Sequence, residues 1–320
     1  MTTGDRVQAV QRFGFSRRQA AFLVTVLSYS GVCLPRQYAT LAGIAYGHRV
    51  NRFFERLVGR GFVSACSCLH NRAFVYRLHH RALYGAIGEP QSRFRRPVPA
   101  AAVTPRLMLL DAVLEAPEVI WLASEEDKVE HFTTRAGIPL DCLPRQAARA
   151  AGAEPGRLFP DALPIGVEPS GCTFVVYAVT TASLEGFRPF LRRHVPFLTA
   201  LPAWTLRLVI TPDDKPRNAA WEAVIDRESG PLLGLAGHTE RRVEWWRLGH
   251  RYGHLSPLVA STAQPALGVE EGEQVGEQVG ERVAASPQPL WLGGRREDQS
   301  RQGSARTRCL RTNNCWPCLM

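Results

Sequence analysis

The stretch HRVNRFFERLVGRGFVSACSCLHNRAFVYRL, residues 48–78, decides the fold because its pattern changes halfway along. In its first part, Val50, Phe54 and Leu57 recur every three to four residues, which places them on one side of a helix. This spacing predicts a helix over residues 48–58, ended by the glycines that follow it.

The second part of the stretch has the pattern of a β-hairpin. Two runs rich in β-branched and aromatic residues, 62–69 and 73–78, are joined by the turn residues His70, Asn71 and Arg72. A hairpin directly after a helix is typical of the wing of a winged helix-turn-helix domain.

The residues around this stretch support the same domain. Ser16 is a plausible N-cap for a helix over 17–30, and a second, short helix is predicted over 35–43. A further helix over 80–87 follows the hairpin. The predicted domain, residues 12–90, therefore has three helices, a hairpin and a closing helix.

Charge is concentrated in the same part of the chain. The 320 residues carry a formal charge of +10, and residues 1–96 hold 15 of the 39 Lys and Arg residues against three acids. Such a local excess attracts polyanions through its field and through counterion release. We expect double-stranded DNA as the partner.

Arginines on the predicted third helix lie opposite its apolar side. Guanidinium groups bridge phosphates or bond guanine through two hydrogen bonds, which is what a helix in the major groove requires. Arg17, Arg18 and Arg36 lie near helix N-termini, which also favour phosphate, and Arg72 lies at the predicted hairpin tip. The predicted DNA-binding residues are Arg17, Arg18, Arg36, His48, Arg49, Asn51, Arg52, Arg56 and Arg72.

The rest of the chain predicts a second domain and a tail. Residues 89–105 contain four prolines and little periodicity, which predicts a linker over residues 91–105. Residues 106–258 alternate strands and helices, which predicts a small α/β domain with a mixed or parallel sheet. Residues 259–320 include the repeat GEQV-GEQV-GERV and predict a disordered, low-complexity tail.

Within the second domain, we expect a central buried strand over 173–179 and another strand over 205–210. A short strand is predicted at 119–122. Predicted helices cover 108–116, 125–135, 146–151, 187–198, 218–226 and 241–248.

No motif of an enzyme is evident. There is no phosphate-binding glycine loop, no HExxH and no G-x-S-x-G. Cys315 and Cys318 have C-x-x-C spacing but lack nearby further ligands for zinc. We therefore predict no catalytic residue, no metal and no cofactor.

Four short motifs suggest a family. RGFV at 60–63, VYRL at 75–78, PD at 160–161 and FVVY at 174–177 give the chain a pattern that resembles the replication-relaxation family over residues 16–225. Those are winged-helix proteins of plasmids and integrating mobile elements. The resemblance implies DNA binding by the first domain and a nuclease-like second domain.

That second domain is expected to be inactive here. A metal nuclease of the Pro-Asp … Glu-x-Lys type places acids on the strand after the aspartate, whereas this chain has Tyr177 and Val179 there. Asp161 alone does not hold a catalytic magnesium ion.

The sequence therefore predicts a non-enzymatic DNA-binding protein, either a replication accessory factor or a transcription regulator. Its second domain would serve homodimerisation or a protein partner. Neither a membrane span nor an apolar signal segment is evident, and we expect a cytoplasmic protein. Two alternatives stay open, namely a divergent metal-dependent nuclease that uses Asp161 and a winged helix that binds proteins.

Overall fold

Four helices open the chain, and three of them begin at a clear start signal. Thr2 caps the first helix, Ser16 caps the second through a reciprocal pair of hydrogen bonds with Gln19, and Pro35 occupies the first turn of the third. The helices are α1 (Thr3–Gln11), α2 (Arg17–Tyr29), α3 (Pro35–Ala42) and α4 (His48–Gly59). The last three confirm the predicted helices, whereas α1 adds a helix that the sequence analysis does not predict.

The computed structural model describes residues 1–67, 74–146, 156–180, 184–210 and 240–248, together with positions 223, 227, 228 and 230. All of these residues belong to one compact unit.

A small antiparallel sheet follows the helices. Its strands are β1 (Val32–Cys33), β2 (Val63–Ser67) and β3 (Phe74–Leu78), in the order β1-β3-β2, and α5 (Arg81–Ala86) comes next. Strands β2 and β3 confirm the predicted hairpin strands, and the turn between them, with Arg72, lies outside the described residues. The two-residue strand β1 has no signal of its own in the sequence, because its identity depends on pairing with β3.

The first hydrophobic core lies between these helices and this sheet. Val50, Phe54 and Leu57 of α4 are fully buried, as their spacing predicts, and Phe53 joins them. Phe22 of α2 packs against both phenylalanines, with ring centroids 6.4 Å apart in each case. This aromatic packing fixes how α4 is presented to solvent.

The second half contains a mixed sheet. Among the described residues its strands are β4 (Ile120–Trp121), β5 (Ile165–Val167), β6 (Thr173–Ala178), β7 (Ala203–Ile210) and β8 (Glu240–Arg247), in that order. Strands β4, β5 and β6 pair antiparallel, whereas β6, β7 and β8 pair parallel. All six residues of β6 are buried, which confirms the predicted central strand.

Helices flank this sheet. They are α6 (Ala100–Leu114), α7 (Glu125–Glu130), which continues into a π-helical turn (His131–Arg135), and α8 (Leu184–Ala200). With its antiparallel and mixed sheets, the described part of the chain is of the α+β class.

The helix predicted over residues 241–248 is wrong, because this segment is strand β8. Its parallel pairing with β7 extends over the whole strand. The Arg207 guanidinium lies between the rings of Phe174 and Trp246, 4.2 and 4.0 Å from their centroids, and pairs with Glu244 at 2.5 Å. These contacts come from distant strands, so the local pattern does not reveal them.

The segment predicted as a linker, 91–105, contains regular structure. A 3-10 turn covers Arg93–Arg95, and α6 begins at Ala100, well before the predicted helix 108–116. Pro105 lies inside α6, and its missing N–H frees the carbonyl of Ala101, an exposed residue, to bond water. The part of the helix after it, residues 107–113, is buried at every position. The predicted helices at 146–151 and 218–226 fall almost entirely outside the described residues, and the tail 259–320 falls wholly outside them.

Candidate nucleic-acid interface

Helix α4 presents a polar side to solvent opposite its buried side. His48, Arg49, Asn51, Arg52 and Arg56 are all exposed, as the helix pattern predicts. Glu55 is the acidic residue of this helix and is exposed as well. The helix therefore combines a fixed apolar side with a surface rich in arginine.

An open groove of about 1170 Å³ lies between the start of α2 and α4. Five of the nine predicted DNA-binding residues line it, together with the acid Glu55. These five arginines, which define what we call the arginine groove, are Arg17, Arg18, Arg49, Arg52 and Arg56. Folding thus brings together two groups of arginines that lie far apart in the sequence.

Arg56 is held in place within the arginine groove. Its guanidinium donates a hydrogen bond of 2.8 Å to Oε1 of Gln19 and lies 5.6 Å from the ring centroid of Phe15. The same Gln19 oxygen accepts the backbone N–H of Ser16 at 3.1 Å, and the Ser16 hydroxyl accepts the N–H of Gln19 at 3.3 Å. The N-cap of α2 is therefore tied directly to α4.

The other four arginines of the groove keep their charge available. Within the described part of the chain, no ion pair involves Arg17, Arg18, Arg49 or Arg52. Several guanidinium groups around one groove create a positive potential that attracts anions. A nucleic acid backbone is an anion that repeats its charge at regular intervals, so it can meet several of these groups at once.

The sequence analysis does not predict a binding role for Gln19, which lines the arginine groove, or for Arg60, which contacts the Phe15 ring beside Arg56. Arg60 lies 4.7 Å from the ring centroid of Phe62 and donates a 2.6 Å hydrogen bond to the Phe13 carbonyl, so it closes the end of the aromatic cluster. The Ser16-x-x-Gln19 spacing is a capping-box signal that the sequence does contain. For Arg60 no local signal distinguishes a structural arginine from a binding one.

Arg36 is not part of the arginine groove. Its guanidinium donates two hydrogen bonds to the Asp111 carboxylate of α6, at 3.0 and 2.7 Å. Asp111 is buried and also accepts a 2.7 Å hydrogen bond from the Gln37 side chain. The structure thus gives the Arg36 guanidinium a carboxylate partner, and a phosphate contact by Arg36 stays a prediction.

The remaining predicted residues fall elsewhere. His48 and Asn51 are exposed on α4 but are not among the residues that line the groove. Arg72 lies outside the described residues, so the structure does not place the hairpin tip.

Asp161, the aspartate considered for a nuclease, has an arginine partner. Both of its carboxylate oxygens accept hydrogen bonds from Arg193, and His194 Nδ1 lies 3.9 Å from Oδ2. Burial lowers the pKa of His194 to about 4, so this imidazole is neutral at pH 7. Among the described residues, no group of three or more His, Cys, Asp and Glu side chains is placed to hold a metal ion.

The turn that carries Asp161 is strained and lies beside a buried lysine. Phe159 and Ala162 have φ values of 46° and 56°, which non-glycine residues rarely adopt. Lys128 donates a 2.9 Å hydrogen bond to the Leu163 carbonyl, and its Nζ lies 5.6 Å from the Phe159 ring centroid. Burial lowers the pKa of Lys128 to about 7.

Comparison of the chain with protein-family models, with curated proteins and with solved structures finds no match in any of the three. The described helices include none with the length and apolar character needed to span a membrane.

Proposed function

We propose that the chain is a double-stranded DNA-binding protein whose first half is a winged helix-turn-helix domain. The observation that carries this proposal is the arginine groove, which joins the first turn of α2 to the exposed side of α4. Helices α3 and α4 supply the helix-turn-helix, and β2 and β3 supply the wing.

In this proposal α4 enters the major groove. Arg49 and Arg52 reach phosphates or guanine edges, while Arg17 and Arg18 hold the adjacent backbone at the N-terminus of α2. The hydrogen bond between Arg56 and Gln19 fixes the spacing of these two groups. A rigid spacing matters because phosphate contacts set the register of a protein on its duplex.

The same proposal includes a role in a mobile element, a relation to the replication-relaxation family, homodimerisation through the second half and a cytoplasmic location. A non-enzymatic role is favoured by the paired state of Asp161 and Arg193, since a carboxylate that accepts two guanidinium hydrogen bonds is a poor ligand for magnesium.

The test uses the full-length chain, because α6 contributes to the core of the first half. Binding to a fluorescent duplex is measured over a series of salt concentrations for the wild type and for the triple variant Arg49→Ala/Arg52→Ala/Arg56→Ala. We expect the variant to bind more weakly. The slope of log affinity against log salt concentration should be less negative in the variant, by about 0.9 for each phosphate that the variant no longer neutralises.

A matched control removes the same charge elsewhere. Arg135, Arg192 and Arg242 are exposed and lie outside the arginine groove, and replacing all three with alanine should leave affinity and slope near those of the wild type. Equal losses in both triple variants would mean that net charge alone attracts DNA. Unchanged binding in the α4 variant would reject this surface and favour the protein-binding alternative, and magnesium-dependent cleavage that Asp161→Ala abolishes would favour the nuclease.

A further inference from the structure

Two aromatic side chains are unusually exposed beside α4. Tyr46, in the turn before the helix, is 62% exposed, and Phe74, the first residue of β3, is 45% exposed. Aromatic rings of this size are normally placed against other apolar groups. Beside a helix that carries exposed arginines, such rings fit a ligand that has flat, apolar faces as well as negative charge.

Phe74 is anchored to the core through a ladder of rings. Residues alternate along a strand, so Phe74 and Tyr76 share one side of β3, with ring centroids 6.3 Å apart. The Tyr76 ring lies 4.4 Å from that of Phe54, which is fully buried in α4. The exposed ring is therefore the outer end of a supported stack.

Tyr46 lies at the start of the same helix that supports the ladder. It directly precedes Gly47, the N-cap of α4, and it is three residues before Arg49 of the arginine groove. Helix α4 therefore carries both the arginines of the groove and Phe54, the residue against which the ladder packs.

The charges on this surface narrow the choice of ligand. A chain of phosphates fits the arginine groove, and nucleic acid bases are the flat apolar groups that phosphates carry with them. In a continuous duplex those bases are stacked on each other and hidden. Exposed protein rings therefore stack on a whole base most readily where bases are unpaired.

We propose that Tyr46 and Phe74 stack on unpaired bases, so that the protein binds a junction between duplex and single-stranded DNA more tightly than a continuous duplex. This inference rests on the proposed function, because the arginine groove holds the duplex part. It favours a replication role over transcription regulation, since replication produces such junctions.

The test compares two labelled DNA molecules with the full-length chain. One is a blunt duplex, and the other is the same duplex with a single-stranded extension of about ten nucleotides, within the usual range for such sites. We expect the wild type to bind the junction about 25-fold more tightly, because each of the two rings contributes about fivefold. Tyr46→Ala and Phe74→Ala should each reduce that preference about fivefold and leave blunt-duplex affinity unchanged.

Two further variants separate stacking from general apolar contact. Phe74→Trp should keep the preference because it keeps a flat ring, whereas Phe74→Leu should reduce it as much as Phe74→Ala does. Circular dichroism of each variant checks that the fold is kept. A preference that Phe74→Leu leaves undiminished would overturn the stacking proposal, as would equal affinity of the wild type for both DNA molecules.

The outcomes also separate this inference from the proposed function. Binding of both DNA molecules with equal affinity, abolished in the α4 triple variant, would leave DNA binding in place and reject the junction preference. Binding of neither molecule at low salt would reject both. The inference would likewise be rejected if Tyr46 and Phe74 bound a protein partner and the chain showed no preference for the junction over the duplex.

Discussion

The Arg36 guanidinium and the Asp111 carboxylate face each other through two hydrogen bonds, of 3.0 and 2.7 Å, that join α3 to α6. The two residues are 75 positions apart in the chain. Gln37 adds a hydrogen bond of 3.0 Å to the Leu107 carbonyl of the same helix, so the start of α3 is held at several points. Helix α3 in turn packs against α4, which links the candidate interface to the second half.

Replacing Asp111 tests how much this link stabilises the protein. The Asp111 side chain is 5% exposed and that of Arg36 is 25% exposed, so the pair is largely removed from water. Asp111→Ala leaves a largely buried guanidinium without its carboxylate, and we expect a loss of about 2–4 kcal/mol in the free energy of unfolding. Urea denaturation measures it.

The exposed pair Arg135–Glu130, with its charged atoms 4.0 Å apart, provides the control. Arg135→Ala should change the free energy of unfolding by less than about 0.5 kcal/mol. Equal effects of the two variants would show that the Arg36–Asp111 pair does not stabilise the fold.

Replacing Gln19 tests the link between the α2 cap and α4. Gln19→Ala removes one side of the capping box and the acceptor of Arg56, and we expect the free energy of unfolding to fall by about 1 kcal/mol. Duplex affinity should fall less than in the α4 triple variant, because the arginines themselves remain. Thermal melting and duplex titration measure the two effects.

Gln8, exposed on α1, is the matched control for that change. Gln8→Ala should leave both quantities close to the wild type. Were Gln19→Ala to leave melting and affinity unchanged, the cap would not position Arg56.

The predictable parts of the fold are those set by local pattern. The apolar spacing in α4 and the β-branched run in β6 place residues on their correct sides, because helix and strand periods act within a few residues. The capping signal of α2 is equally local. For this reason the sequence alone identifies the exposed arginines of α4.

The unpredicted parts depend on distant partners. Arg36 has the sequence context of a phosphate contact, and only the fold brings Asp111 to it. Strand β8 contains two consecutive tryptophans between charged residues, and its extended form follows from pairing with β7 and from the Arg207 contacts. The exposure of Phe74 is likewise not evident from sequence, since an aromatic residue in a predicted strand is ordinarily buried.

Lys128 should make stability depend on pH. Its pKa is about 7 in the native state and has the ordinary value of 10.5 when the chain unfolds. Between pH 7 and pH 10.5 the unfolded chain keeps the lysine proton and the native chain does not. The free energy of unfolding therefore rises with pH over this range. Below pH 7 the lysine is charged in both states and the full cost of burying the charge remains.

The variant Lys128→Met removes this dependence. We expect it to be more stable than the wild type at pH 6, and that advantage should shrink by about 2.7 kcal/mol by pH 9. Denaturation at several pH values measures it, with the exposed Arg12→Met as the control whose difference from wild type stays flat. An advantage independent of pH would contradict the low pKa.

Ala162 offers a direct test of the strained turn. At φ 56° a glycine avoids the steric conflict of the alanine methyl group, so Ala162→Gly should stabilise the protein by about 0.5 kcal/mol. In the interior of α2, Ala21→Gly should instead destabilise it by about 1 kcal/mol. Calorimetric melting of both variants decides the sign, and destabilisation by Ala162→Gly would show that the turn is not strained.

Helix α6 contributes to three groups of buried side chains. Leu110 joins the core of the first half, Met108 joins that of the mixed sheet, and Leu107 packs with Val32 and Val75 of the small sheet. A cut at residue 96 would take all three away. The first half therefore does not end at residue 96. A recombination event that transferred the first half with its core intact would have to include all residues up to Glu115, the C-cap of α6.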